Sequence, residues 1–224
     1  MTPATPTTPA PATIAVVDYG MGNRRSVEKA LDHVGASARI TRDHGELRAA
    51  DGLVVPGVGA FPRAMANLRE LGLDDVIAER AAQGIPVLGI CLGMQLLFER
   101  SSERGGAEGL ALLAGEVAAL RPGAGKLPHI GWNLVSWRAE SRLTGGLPET
   151  CAFYHVHSFV ARPADEDDVL GMCQYGERFA TAVARPPLYG VQFHPEKSSL
   201  HGLRLLENFA SVCAPTGSRV AVRA

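Results

Sequence analysis

Hydrophobic residues in the first half of the chain fall into short runs that alternate with helix-like patterns. The runs predict strands at residues 14–17, 38–41, 53–55 and 86–90, and the helical patterns predict helices at residues 24–33, 60–70, 74–83 and 92–100. Because the strands at residues 14–17, 53–55 and 86–90 are apolar at almost every position, we expect them to be buried on both faces. Such strands, alternating with helices, predict a mostly parallel sheet with helices on both sides.

The pattern changes near residue 115, after which strands predominate. Strands are predicted at residues 117–120, 134–137, 151–161, 169–173, 179–184 and 189–193, and an amphipathic helix is predicted at residues 200–213. Consecutive strands with little helix between them favour antiparallel pairing. We therefore predict an α/β fold, an open three-layer α/β/α arrangement in which antiparallel strands extend one edge of the parallel sheet.

Length and charge limit the domain organisation and the partners. The 224 residues suffice for one α/β domain with a large core and are too few for two ordinary ones. We assign residues 13–213 to that domain, residues 1–12 to a disordered tail, and residues 214–224 to a flexible C-terminal tail. The 22 basic and 23 acidic residues leave a net charge of −1, which gives no electrostatic reason to expect nucleic acid or a membrane as partner.

The cysteines and histidines have no spacing typical of a metal site. Cys91, Cys151, Cys173 and Cys213 lie far apart in the sequence, so no zinc or redox pair is formed locally. We predict no metal and no cofactor. The cysteines are expected to be reduced thiols in a cytoplasmic protein, because a core of this size does not need disulfides.

The sharpest chemical signal is a cysteine between two glycines at the junction of a predicted strand and a predicted helix. Residues 89–93 read GICLG, which is the nucleophile-elbow pattern with Cys91 in place of serine. The glycines permit the tight turn, and the N-terminus of the following helix favours a thiolate. Cys91 is therefore predicted to be a nucleophile, although a buried structural cysteine would fit the same five residues.

A cysteine nucleophile needs a base, and the base needs an orienting group. His194 follows the last predicted strand, and Glu196 lies two residues further on. Residues two apart in an extended segment point the same way, so we expect the carboxylate to lie near the imidazole. The C-terminal edge of the sheet, where both would lie, is where open α/β sheets form their active sites.

Two backbone N–H groups are needed to stabilise the oxyanion that acyl transfer creates. The N–H of Leu92, next to the nucleophile, is one predicted donor, and Gly57 and Val58 in the loop PGVG are predicted to supply the other. The remaining histidines give weaker signals. His155 is predicted to lie on a partly exposed strand face and His129 in a loop, while three others are predicted surface residues, namely His33, His44 and His201.

Three motifs together resemble those of the triad, or class I, glutamine amidotransferases. They are GICLGMQLL at residues 89–97, PGVGAF at residues 56–61 and QFHPEKS at residues 192–198. Within that family, DYGMGN at residues 18–23, HIGWN at residues 129–133 and HVHSF at residues 155–159 resemble the glutaminase subunits of imidazole glycerol phosphate synthase. The resemblance runs from about residue 13 to residue 210.

This resemblance implies a flavodoxin-like sheet and a reaction. Cys91 would attack the side-chain amide of glutamine to give a thioester and ammonia, His194 would transfer the protons, and Glu196 would hold His194. The positions that match the glutamine pocket of the family are Gly57, Gln95, His157 and Ser158. No cofactor is implied.

The resemblance also implies a partner, a separate cyclase subunit with a (β/α)8 barrel that receives the ammonia in histidine biosynthesis. The positions that match the family's subunit interface are Asn23, Trp132, Asn133 and Lys197. For Trp132, an exposed interface residue and a core aromatic fit the sequence equally well.

Two other interpretations stay open on the sequence. The triad motifs are equally compatible with the glutaminase subunit of another synthase, although the chain is too short to include a fused synthetase. A non-catalytic binding or redox-sensing module could use the same elbow without a working base. Binding to candidate synthase subunits decides the first alternative, and glutamine hydrolysis measured with and without the cyclase decides the second.

Overall fold

The computed structural model describes residues 10–121, 123 and 125–214. Most of the two predicted tails therefore lies outside the described residues, and the tails stay predictions. Ala12, which we assigned to the N-terminal tail, is buried, and its carbonyl accepts a hydrogen bond from the Ser37 N–H at 2.9 Å. Backbone pairing thus extends one residue before the predicted start of the domain.

A parallel sheet covered by helices forms the first half of the domain, as predicted. Its strands are β1 (Thr13–Val17), β2 (Ser37–Thr41), β3 (Gly52–Gly57) and β4 (Val87–Cys91), in the order β2-β1-β3-β4. The helices are α1 (Arg24–His33), α2 (His44–Ala49), α3 (Phe61–Glu70), α4 (Leu73–Ala82), α5 (Leu92–Leu96) and the C-terminal α6 (Ser199–Cys213). Every residue of β3 and β4 is buried, which explains their uninterrupted apolar sequences.

Side chains of β1 alternate between two hydrophobic cores, one on each face of the sheet. Ile14 and Val16 pack on the side of α1 and α6, whereas Ala15 and Val17 pack on the side of α2, α3 and α4. The domain therefore has the three layers that we predicted.

Strands that are mostly antiparallel to their neighbours extend the sheet beyond β4, which confirms the predicted edge extension. They are β5 (Phe98–Ser101), β6 (Ala107–Glu108), β7 (Leu113–Ala119), β8 (His129–Trp137), β9 (Thr150–His157), β10 (Phe159–Pro163), β11 (Val169–Tyr175), β12 (Glu177–Arg185) and β13 (Leu188–Val191). β13 is parallel to β4 on one side and antiparallel to β12 on the other. β8, β9 and β11 branch from β12 as a separate group of strands.

Several predicted elements were wrong in extent, and β7 and β8 begin at Leu113 and His129 rather than at residues 117 and 134. The helix predicted at residues 92–100 ends at Leu96, because the carbonyls of Leu96, Leu97 and Phe98 accept hydrogen bonds from the returning segment 110–113. The single strand predicted at residues 151–161 is two strands, since β9 pairs with β8 whereas β10 pairs with β7 and β12. Among the described residues, no helix is both long and apolar enough to cross a membrane.

Candidate active site

Cys91 lies in a strained turn at the C-terminal end of β4. Its backbone has φ 55° and ψ −111°, a conformation that residues with side chains rarely adopt, and α5 begins at the next residue. A Cβ on Gly93 would overlap the Val55 carbonyl oxygen, and one on Gly89 would lie 2.6 Å from the Gly93 carbonyl. The predicted strand–turn–helix context is confirmed, and both glycines are required by the backbone that surrounds them.

His194 follows β13 and lies beside the turn, because β13 pairs in parallel with β4. The His194 ring donates from Nδ1 to Glu196 Oε1 at 2.9 Å, and both side chains are almost completely buried. The carboxylate reaches the ring by a different geometry from the one we predicted. The segment after His194 is a short 3₁₀ turn (Pro195–Lys197) rather than extended backbone.

Further hydrogen bonds fix the backbone of His194. Its N–H donates to the Tyr154 carbonyl at 2.9 Å, and its own carbonyl accepts from Ser198 Oγ at 2.6 Å. The same hydroxyl accepts from the Tyr154 N–H at 3.0 Å. The base is thereby attached to β9 as well as to β13.

The charge state of His194 follows from its neighbours. Burial alone would disfavour the charged ring, but hydrogen bonds with the Cys91 sulfur and the Glu196 carboxylate outweigh it and raise the pKa of His194 to about 10. The imidazole is therefore protonated at neutral pH. It lies between the sulfur and the carboxylate, as a proton donor in acyl transfer must.

Two other polar groups contact the thiol. Cys91 Sγ lies 3.7 Å from the Val156 carbonyl oxygen and 3.6 Å from Gln192 Nε2. We did not predict Gln192 as a site residue. Its place within the QFHPEKS motif, two residues before His194, was the available signal, since it turns the side chain toward the same side as the base.

The loop that we predicted to supply the second oxyanion donor lies next to the turn. Gly57 is opposite Cys91 in the register of β3 and β4, and a Cβ there would be 2.5 Å from Tyr19 Oη and 2.8 Å from Leu92 Cβ. The buried Tyr19 hydroxyl donates to the Pro56 carbonyl at 2.5 Å, and burial raises the pKa of that tyrosine. Val58 is 43% exposed, so the outer part of the loop lacks the packing that encloses Cys91.

Gln95, one turn into α5, is buried beside the thiol. Its Nε2 donates to the Phe159 carbonyl at 3.0 Å and to Gln192 Oε1 at 2.9 Å. Both hydrogens of the amide are thus used within the protein, and Oε1 is left as an acceptor. Gln95 can therefore accept a hydrogen bond from an amide or ammonium group of a substrate.

The two predictions for His155 and His129 were wrong. Both histidines are buried, and His129 lies on β8 rather than in a loop. His155 donates from Nδ1 to the Phe153 carbonyl and accepts from the Thr181 hydroxyl at 2.9 Å. Polar partners inside the sheet satisfy these rings, a possibility that the polar sequence alone did not indicate.

His129 and His157 form a hydrogen-bonded pair whose tautomers are fixed. His157 Nδ1 donates to the Phe159 carbonyl at 3.0 Å, which leaves Nε2 as the acceptor for His129 Nδ1 at the same distance. Both ring nitrogens of His157 are therefore used internally. Burial lowers the pKa of His157 to about 3, and it also lowers the pKa of His155 and of His129.

The residues predicted to meet a partner differ in their exposure. Trp132 is 55% exposed on the outer face of β8, flanked by Ile130 and Leu134 at 59% each, so it is not a core aromatic. Lys197 is also exposed, and Asn23 is half-buried before α1. Asn133 points inward and donates from Nδ2 to the Gln174 carbonyl at 2.9 Å.

Comparisons with known proteins agree with this geometry. The family profile described as Glutamine amidotransferase class-I matches residues 15–213. A protein of Moorella thermoacetica named imidazole glycerol phosphate synthase subunit HisH is 50% identical over 205 residues, 92% of this chain and 97% of that protein. The Aquifex aeolicus protein of the same name is 50% identical over 195 residues, 87% of this chain and 94% of that protein.

Solved structures share the fold at lower identity. A putative GMP synthase component of Thermoplasma acidophilum aligns with a TM-score of 0.71 and 24% identity, covering 91% of this chain and 94% of that one. PurLQS of Thermotoga maritima aligns with a TM-score of 0.71 and 20% identity, covering 89% of this chain and 97% of the matched one. At these identities the likeness establishes the arrangement of strands and helices alone.

Proposed function

The chain belongs to the class-I glutamine amidotransferase family, and we propose that it is the glutaminase subunit of an imidazole glycerol phosphate synthase. It hydrolyses glutamine to glutamate and ammonia, and the ammonia serves histidine biosynthesis. The single observation that carries the chemistry is the buried array in which the Glu196 carboxylate holds the His194 ring beside the Cys91 sulfur.

The first half of the reaction forms a thioester. The Cys91 sulfur attacks the side-chain carbonyl carbon of glutamine, and the C=O π electrons move to the oxygen. When the tetrahedral intermediate collapses, the C–N bond breaks and His194 gives its Nε2 proton to the departing nitrogen. A ring that is charged at neutral pH supports this role, because the nitrogen must gain a proton to leave as neutral ammonia.

The second half releases glutamate. Neutral His194 now takes a proton from water, and the hydroxide attacks the thioester carbonyl. The C–S bond breaks, glutamate leaves, and the sulfur again lies beside a charged imidazole. Glu196 keeps the Nδ1–H of the ring directed away from the sulfur through both steps, so that Nε2 remains available for transfer.

The oxyanion of both steps needs donors that are fixed in place. The Leu92 N–H at the start of α5 is one, and the Gly57–Val58 backbone supplies the other. Gln95 accepts from the substrate through Oε1. His157 and Ser158 line the pocket through their backbone, since both ring nitrogens of His157 are already bonded within the protein.

The partner is a cyclase subunit with a (β/α)8 barrel, which receives the ammonia without release to solvent. The apolar row formed by Ile130, Trp132 and Leu134 supports a docking surface, because large exposed apolar side chains that lie together on one strand face commonly mark protein interfaces. Lys197, one residue beyond the catalytic carboxylate, adds a charge next to the site. Asn23 is a further interface residue, and Asn133 supports the row from beneath. The four free cysteines fit a reducing compartment such as the cytoplasm.

The test is glutamine-dependent turnover of the complex after co-expression with the cyclase subunit. Cys91→Ala should lower glutamate formation by at least about 10³-fold, because a triad fails as a unit. Turnover supported by added ammonia should persist in that variant, since the cyclase is untouched. Cys213→Ala is the matched control, because its buried thiol lies against Gly52 at the start of β3, at the end of the sheet opposite Cys91. Full glutaminase activity in Cys91→Ala would refute the assignment of Cys91 as the nucleophile.

The same experiment separates the remaining alternatives. Failure to bind the cyclase, with binding to the synthase subunit of another pathway, would assign the glutaminase to that pathway. If no synthase subunit elicits glutamine hydrolysis, the elbow belongs to a non-catalytic module.

A further inference from the structure

A buried amide that sequence analysis did not select contacts the reacting sulfur. Gln192 is completely buried at the end of β13, and its Nε2 lies 3.6 Å from Cys91 Sγ. We propose that Gln192 is a further catalytic residue, whose N–H holds the sulfur in place and stabilises its negative charge. This inference rests on the function proposed above and adds a group to the same site.

The orientation of the Gln192 amide follows from which of the neighbouring atoms can donate a hydrogen bond and which can only accept one. The Phe159 carbonyl can only accept, so the end of Gln95 that lies 3.0 Å from it must be the NH2 group. That same nitrogen lies 2.9 Å from the Gln192 side chain, which must therefore present its oxygen. The opposite end of Gln192, the end that faces the sulfur, is then its NH2 group.

Burial makes the alternative orientation costly. Gln192 has no exposed surface, so no bulk water can satisfy an amide that is turned around. A reversed Gln192 would place its oxygen against the sulfur and two NH2 groups against each other. The Phe159 carbonyl, which fixes the orientation of Gln95 and hence of Gln192, also accepts a hydrogen bond from His157 Nδ1 at 3.0 Å. Both of its lone pairs are therefore used.

The chemical consequence concerns the charge on sulfur. A donor held in place in a buried site favours the anionic form of its acceptor and costs no reorganisation when that charge appears. In the reaction, sulfur is negative before the attack and again when the thioester breaks. His194 contacts the same atom but must give up its proton when ammonia leaves, whereas the Gln192 amide keeps its hydrogens throughout. Gln192 therefore supplies a donor that persists across both steps.

The test measures thiol reactivity in the lone chain, without glutamine or partner. The rate of Cys91 alkylation by iodoacetamide is followed against pH, with the modified peptide identified by mass spectrometry. Gln192→Met has a similar volume but lacks the donor, and we expect its alkylation profile to move up by about one pH unit. Gln192→Glu still accepts from Gln95 but places an anion beside the sulfur, and we expect a larger upward shift.

Turnover in the complex gives a second readout. Gln192→Met should lower kcat about 10- to 100-fold with little change in KM for glutamine, since the lost bond is to the sulfur rather than to the substrate. The matched control is Gln83→Met, at the exposed end of α4, which should leave both the alkylation profile and kcat unchanged.

The alkylation profiles of the Gln192 variants decide whether this amide stabilises the charged sulfur. An unchanged alkylation profile in both Gln192 variants overturns the proposal, whatever happens to their thermal stability. If either Gln192 variant fails to fold, Gln95→Leu carries the test, because it releases the Gln192 amide and should move the profile upward by a smaller amount. A wild-type complex without glutaminase activity would refute the proposed function while leaving the alkylation result intact.

Discussion

The parallel and antiparallel halves of the sheet position the site by different physical means. In the parallel half, Cys91 is held by the backbone itself, since Gly89 and Gly93 lie against main-chain atoms with no space for a Cβ. In the antiparallel half, buried polar side chains bond to one another, as His129 does to His157 and His155 does to Thr181. The position of Cys91 thus depends on steric exclusion, and its surroundings depend on protonation state and donor direction.

This difference predicts separate responses to mutation and to pH. A backbone-defined turn should tolerate no added atoms but should be indifferent to acid. A network of neutral imidazoles should tolerate small steric changes but should fail when the rings are charged. Four measurements test that contrast, from the largest expected effect to the smallest.

The largest effect is expected for Gly93→Ala in the parallel half. The new methyl group would overlap the Val55 carbonyl oxygen, so β3 or the turn must move. We expect destabilisation by more than about 4 kcal/mol, measured by urea unfolding, and loss of glutaminase activity in any folded fraction. Gly145→Ala is the control, because its Cβ would make only ordinary contacts, 3.7 Å or longer. A Gly93→Ala chain of normal stability would contradict the steric account.

The next effect is acid sensitivity in the antiparallel half. The folded chain keeps His155 and His157 neutral, with the pKa of His157 lowered to about 3, whereas their unfolded pKa is near 6.5. The stability that this contributes is present above pH 6.5 and is lost as the pH falls from there toward 3. As the pH falls from 6.5 to about 5, each ring should lower the free energy of unfolding by up to about 2 kcal/mol.

The slope of stability against pH checks this assignment. His155→Gln should reduce the slope of the unfolding free energy against pH, below pH 6.5, by the equivalent of about one bound proton. The unfolded chain then takes up one proton fewer than the wild-type chain. His33→Asn alters an exposed histidine and should leave the slope as it is. Equal slopes in both variants would show that the buried rings do not govern acid unfolding.

A smaller effect is expected on the outer face of β8. Trp132→Ala removes an exposed ring, so the stability of the lone chain should change by less than about 0.5 kcal/mol. Affinity for the cyclase subunit should fall about 10- to 100-fold, measured by titration calorimetry. Leu200→Ala is the control, because that side chain is 78% exposed on α6, outside the apolar row. Equal affinities in the two variants would remove Trp132 from the interface.

The smallest effect is expected where one hydroxyl is lost. Thr181→Val keeps the shape of the side chain but leaves His155 Nε2 without its donor, at a cost of about 1–2 kcal/mol of unfolding free energy. Thr150→Val removes an exposed hydroxyl pair with Ser136 and should cost less than about 0.5 kcal/mol. If the two variants are equally stable, the buried network does not depend on satisfied hydrogen bonds.

The parallel half could be read from the sequence because its apolar runs report burial directly. Strands β1 to β4 and the turn at Cys91 were predicted within a few residues. The antiparallel half was harder, since a buried imidazole that is bonded to Thr181 has the same local sequence as an exposed one. His155, His129 and the break at Ser158 all depend on partners that are distant along the chain. Gln192 was missed although its position two residues before His194 was a local signal, because its contact with Cys91 is formed only in the folded sheet.

The position of β13 has a consequence for how the protein is made. Within the part of the chain that the structure describes, the last strand to emerge during synthesis is β13, which joins β4 to β12 and brings His194 and Gln192 to a thiol made about a hundred residues earlier. An incomplete polypeptide on the ribosome would carry the Cys91 sulfur without His194, its proposed proton donor. Competence for hydrolysis is thereby acquired late in translation, as a property of the finished chain.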